Sequence, residues 1–165
     1  VSRCQIISLN GQVDFKQYAT TRDKIGQLLT DDETEYLSFI ENDSNDERIN
    51  SVVRFFELYE KKHKKILLYL NEYWFTHFND KELFNQALMI GVYFYKDILN
   101  YKINNNIEIF NDYEDTICQI ADLNEVTEII RKINTISENR KFLDNNANLN
   151  LLMDKIIIEL EEGVK

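Results

Sequence analysis

The sequence predicts an all-α protein: a helical bundle preceded by a small helical module and a remnant strand. Two observations carry this reading. The 165 residues contain no proline and only four glycines, Gly11, Gly26, Gly91 and Gly163, a composition that favours long helices over hairpins. Apolar residues also recur three and four apart through several segments that are bounded by Asn, Asp, Ser and Thr. A chain of ~150 residues buries roughly 70% of its unfolded surface, so one sizeable core is expected.

Taken in order, residues 4–9 have the pattern of a short strand's tail, broken by Gly11. From Asp14 to about Glu41 two short helices are predicted, the second opened by Thr30-x-x-Glu33 at capping-box spacing. The polar run Glu41-Asn42-Asp43-Ser44-Asn45-Asp46 is the best linker candidate. Ser44-x-x-Glu47 repeats the capping-box spacing, and Ile49, Val52, Val53, Phe56 and Tyr59 then mark one face of a long helix. Five basic residues, Lys61-Lys62-His63-Lys64-Lys65, circle a helix end at ~100° per residue, so no face there is buried.

A helix over residues 66–78 follows, then a break at Asn79-Asp80. The next helix, from about Lys81 to Tyr101, carries Phe84, Leu88, Val92, Tyr95 and Leu99. Tyr73, Trp74, Phe75, Tyr93 and Phe94 form an aromatic middle that suits a helical core or a protein contact. Asn104-Asn105-Asn106 is read as a loop, with helices over about 112–121 and 124–144 after it. The last helix starts near Asn148, an N-cap, while Asn145 or Asn146 closes the helix before it, because Asn tolerates the left-handed conformation.

The net charge of −10 argues against a direct grip on nucleic acid, which needs clustered Lys and Arg. Cys4 and Cys118 form no CxxC pair and are expected as reduced thiols, Cys118 as a small core residue. No apolar run reaches the length of a membrane span and no signal-peptide pattern is visible. The sequence has no Gly-x-x-x-x-Gly-Lys loop, no HExxH and no metal-spaced Cys/His cluster, and His63 and His77 are too far apart to share a helical turn. No catalytic residue or metal ligand is therefore assigned.

Two landmarks are sharper. Near the C-terminus, Asn146-Ala147-Asn148 leads into Leu151-Leu152-Met153-Asp154 and the aliphatic run Ile156-Ile157-Ile158. Near the N-terminus, Ser2-Arg3-Cys4 runs into Ile6-Ile7-Ser8-Leu9. Their separation, with Tyr95-Lys96-Asp97-Ile98-Leu99 between them, resembles the lid and collar of the delta-prime subunits of bacterial DNA polymerase III, members of the AAA+ clamp-loader family. Three features depart from the family pattern: Leu149 stands where proline is common, Asp154 replaces Glu, and the lid is short.

The resemblance implies a division into 1–10, the end of an ATPase domain, 11–43, a helical lid, and 44–165, the collar. It implies a cytoplasmic subunit of the DNA-directed DNA polymerase holoenzyme, a nucleotidyltransferase complex. That subunit would assemble with gamma/tau and delta to load the sliding clamp on primed DNA, meeting clamp and DNA only through the complex. No cofactor is expected in this chain; ATP and Mg would be held by neighbouring subunits. Ser2, Arg3 and Cys4 would form the ATP-contact motif, with Arg3 as a trans-acting finger whose planar, permanent charge suits phosphate oxygens. Asn146, Asn148 and Asp154 would be the structural motif. Because the chain starts at Val1, it is expected to be a fragment or a processed product. A gamma/tau-type subunit and a helical adaptor unrelated to replication are the alternatives.

The last helix adds one reading of its own. Leu149, Leu152, Met153, Ile156 and Leu160 make a stripe expected to pack on Ile129, Ile130 and Ile133, whereas Leu151 and Ile158 lie opposite. These two are predicted to face a neighbouring collar domain; the alternative is a cover by another helix of the same chain.

Overall fold

A computed structural model describes residues 19–62, 66–145 and 147–162, and the described part is all helical, with no strand. The remnant strand and the Ser2-Arg3-Cys4 motif lie outside the described residues, as do His63 and Asn146. Eight helices follow one another among the described residues. The first, α1, spans Thr21–Leu29, α2 Glu33–Glu41 and α3 Ser44–Glu60. Helix α4 covers 66–77, α5 Lys81–Asn104, α6 Glu114–Leu123, α7 Val126–Arg140 and α8 Leu149–Glu162.

The caps of α2 and α3 differ from the expected ones. Helix α1 is opened by a capping box in which Thr20 accepts from the Asp23 amide at 3.2 Å and Asp23 accepts from the Thr20 amide at 2.9 Å. Thr30 closes this helix instead of opening the next: its hydroxyl donates to Gly26 O at 2.7 Å. Asp32 caps α2, taking the Thr34 and Glu35 amides at 2.8 and 2.9 Å. A carboxylate one residue before the helix outcompetes the Thr-x-x-Glu pair because it also matches the positive end of the helix dipole. Similarly, Ser44 is already helical, and its amide is taken by Asn42 Oδ1 at 3.1 Å.

The polar run 41–46 is a tight joint instead of a linker, since only Asn42 and Asp43 separate α2 from α3. Asn45 is buried there and donates to Phe39 O at 2.7 Å. The α1–α2 hairpin also touches the rest through Arg22 to Asp46 at 2.9 Å and the Thr21 amide to Asp112 at 3.1 Å. Ile25 belongs to the same core as the later helices.

Helix α5 is the hub, packed against α3, α6 and α7. Its buried side is the predicted one: Phe84, Leu88, Val92 and Tyr95, with Leu99 partly covered. The aromatic middle divides. Trp74 and Phe94 are buried, while Tyr73 is exposed and stacks on Tyr69 at 5.2 Å. Within α4 the segment Leu70–Trp74 is a π-turn, which adds a residue to one turn and re-aims the side chains after it. Trp74 thereby lies 4.9 Å from Phe55 and 4.8 Å from Phe78, ring centre to ring centre. Such tilted contacts suit aromatic quadrupoles.

Helix α5 runs to Asn104, and Asn105 ends it in the left-handed region, φ 53°, its amide returning to Tyr101 O at 2.8 Å. The loop after it is held by Asp97, which is 3% exposed and accepts from the Glu108, Ile109 and Phe110 amides at 3.2, 2.8 and 2.7 Å. Three backbone donors around one carboxylate satisfy groups that burial would otherwise leave unpaired. Cys118 is half-buried, not a core residue; Ile117, Ile120 and Ala121 fill the core side of α6.

A buried polar cluster joins α3, α5, the α6–α7 corner and α7. Lys132, 2% exposed, donates to Glu60 Oε1 and Oε2 at 2.7 and 2.9 Å and to Asn124 Oδ1 at 2.7 Å. Tyr95 donates to Glu60 at 2.5 Å and Asn124 Nδ2 to Glu60 at 2.9 Å. The Tyr59 ring lies 5.4 Å from the ammonium. Every charge in this cluster has partners, the condition under which a buried pair is tolerated.

Candidate protein interface

Helix α8 begins where the Asn-x-Asn motif predicts. Asn148 Oδ1 accepts from the Asn150 and Leu151 amides at 3.0 and 3.2 Å, which makes it the N-cap. The preceding helix ends at Arg140 and tightens into a 3₁₀ turn, Lys141–Asn145, four residues earlier than the expected boundary at 144. Asp154 is exposed and is in no ion pair among the described residues.

The inner face of α8 buries Leu152, Met153, Ile156, Ile157 and Leu160. Helix α7 packs against α8 and buries Ile129 and Ile136 in the common core, with Ile133 partly buried. Ile130, expected in this contact, is instead 43% exposed. The core-facing positions of α7 are Ile129, Lys132, Ile136 and Asn139, so the helix is turned to place Lys132 inward, toward Glu60. That partner is 72 residues away, which no local pattern reveals.

Polar anchors fix the C-terminal half of α8. Arg131 donates to Glu159 O at 2.9 Å and Leu160 O at 2.6 Å, capping carbonyls near the helix end. Glu128 holds that guanidinium in place; its carboxyl sits below the ordinary range, first because of the Arg131 hydrogen bond. Asn139 donates to Glu159 at 2.5 Å.

A helix anchored this way turns its other side outward. Leu151 is 67% exposed and Ile158 56% exposed, and no element among the described residues covers them. Beside them Lys155 stands over the Phe142 ring, 3.7 Å from its centre, and Phe142 is itself exposed. The surface is an apolar ridge of Leu151 and Ile158, extended by the Lys155 stem and Phe142. Among the described residues no group of three His, Cys, Asp or Glu is placed for a metal ion. No helix of the described part is long and apolar enough to cross a membrane.

Comparison with known proteins adds one match. The chain is 25% identical over 143 residues to DNA polymerase III subunit delta' of Bacillus subtilis (strain 168). The resemblance read from the sequence is borne out. The match covers 84% of this chain but 44% of that subunit, so the chain spans less than half the length of its relative. No protein-family model matches, and no solved structure does so significantly.

Of the site residues expected from the sequence, the structure puts Leu151, Asp154 and Ile158 on one exposed face of α8 and Asn148 at its N-terminus. Ser2, Arg3, Cys4 and Asn146 lie outside the described residues. Sequence reasoning missed Glu60, Tyr95, Asn124 and Lys132 as a cluster and Arg131 as the clamp on α8. The available signal was the spacing Ile129, Lys132, Ile136, Asn139, a helical stripe with two polar members.

Proposed function

We propose that this chain is the lid and collar part of a clamp-loader subunit of the delta-prime kind, with residues 11–43 as lid and 44–165 as collar. Its task is assembly in the cytoplasm: the collar packs beside gamma/tau and delta, and the assembled complex spends ATP to open the sliding clamp and place it on primed DNA. ATP and Mg belong to the neighbouring subunits, and Arg3 reaches across the boundary to the terminal phosphate. The observation that carries the reading is the exposed ridge of Leu151 and Ile158 on a helix anchored by Arg131 and Asn139, in a chain similar to delta' over most of its length. Exposed apolar residues aligned on an anchored helix are what a protein contact uses.

The test is the double change Leu151→Glu and Ile158→Glu in the whole subunit, assayed for co-assembly with cognate gamma/tau and delta. Loss of assembly with helicity and melting temperature preserved supports the reading; wild-type assembly overturns it. Arg3→Ala should instead leave assembly intact and lower the ATPase rate of the assembled loader, arginine fingers contributing ~10³-fold or more at a single site.

A further inference from the structure

The ridge on α8 is bordered by carboxylates, and their arrangement says what kind of helix it receives. At about 100° per residue, Leu151 and Ile158 fall within roughly 20° of each other. By the same arithmetic Asp154 and Glu161 lie along one side of them, and Glu162 falls close to their line at the C-terminal end. All three carboxylates are exposed, and none is in an ion pair among the described residues. The one cation in α8, Lys155, is already committed to the Phe142 ring and lies 3.6 Å from Glu159. The C-terminal end of the helix dipole adds further negative potential at Glu161 and Glu162.

We propose, resting on the assembly reading above, that this face receives an amphipathic helix of a different polypeptide, with an apolar ridge bordered by Lys or Arg. A second copy of this chain is the wrong partner. Its matching face would bring carboxylates against carboxylates, and each chain carries a net −10; like-charge juxtaposition of this kind disfavours a complex. Opposite charge at the border of an apolar contact acts mainly on the association rate and on its salt dependence.

Association of the whole subunit with cognate gamma/tau and delta, followed from about 0.05 to about 0.5 M salt, tests this. The charge reversal Asp154→Lys with Glu161→Lys should slow association about tenfold at low salt and flatten the salt dependence, with helicity unchanged. If Leu151→Glu with Ile158→Glu leaves assembly intact, the assembly reading fails and this inference goes with it. If that apolar pair abolishes assembly while the charge reversal keeps both the wild-type rate and its salt dependence, the assembly reading stands and the basic partner is wrong. Sedimentation of the subunit alone supplies a further arm, since a dimer lost in the Leu151, Ile158 variant would make a second copy the occupant.

Discussion

At the scale of single residues, two buried ionic devices hold distant segments together, and both are open to direct measurement. Removing one partner of the Glu60–Lys132 pair strands a charge in the core. Lys132→Met should therefore cost about 3–5 kcal/mol in denaturant unfolding. Adding Glu60→Gln should recover much of that loss, because a neutral amide no longer needs the ammonium; a double variant as unstable as the single one would show that geometry and not charge sets the cost. Asp97 serves three backbone amides at once. Asp97→Ala leaves them without that acceptor and should lower stability by about 2–3 kcal/mol, with hydrogen exchange rising first at residues 108–110.

At the scale of elements, α3 and α5 approach closely where the Phe56 ring lies against Gly91. A Cβ at Gly91 would stand 2.6 Å and 2.9 Å from two ring atoms. Phe56 is boxed in by Phe55 at 5.0 Å and Tyr95 at 5.1 Å, so the ring has nowhere to go. Alanine gains about 1 kcal/mol of helix propensity over glycine, but overpacking of about 1–3 kcal/mol outweighs it. Gly91→Ala should accordingly lower the melting temperature. Helix α8 offers the opposite contrast between its two sides. Met153→Glu, at a fully buried position, should unfold the bundle, whereas Leu151→Glu should leave its thermal midpoint nearly unchanged.

For the whole molecule, the buried tyrosines should make stability fall at alkaline pH. Tyr95 is pushed well above the usual phenol value, first by burial and then by the Glu60 carboxylate, and Tyr59 is raised by the same causes in the same order. Burial, with Asp112 next, pushes Tyr113 up to about 12. Folded values above the unfolded one of about 10 mean that the folded state binds the phenolic protons more tightly. Their contribution is complete below about pH 10 and is lost as pH rises through the folded values. Helicity and phenolate absorbance should thus change together above about pH 10, with part of the phenolate signal appearing only on unfolding. Phenolates that all form before helicity falls would contradict the burial of Tyr59 and Tyr95.

The sequence by itself determined that the described part is helical, which faces of α3, α5 and α8 are apolar, where α8 starts, and that Leu151 and Ile158 oppose its core stripe. Those are properties of spacing and of residues such as Asn148 that act on neighbours a few positions away. It misplaced the cap of α2 because Thr30, Asp32 and Glu33 all offer plausible local partners, and the winner depends on where the chain turns. It also took 41–46 for a linker, although Asn45 uses its polarity on the Phe39 carbonyl. Only the tertiary structure decided that Lys132 points inward while Ile130 stays half in solvent, since the carboxylate that makes this favourable comes from another helix 72 residues earlier. It also decided that Arg131 anchors α8, and that Leu151 and Ile158 stay uncovered on its outer side. Charge and hydrogen bonding act across space, and sequence spacing records only what a residue meets along its own helix.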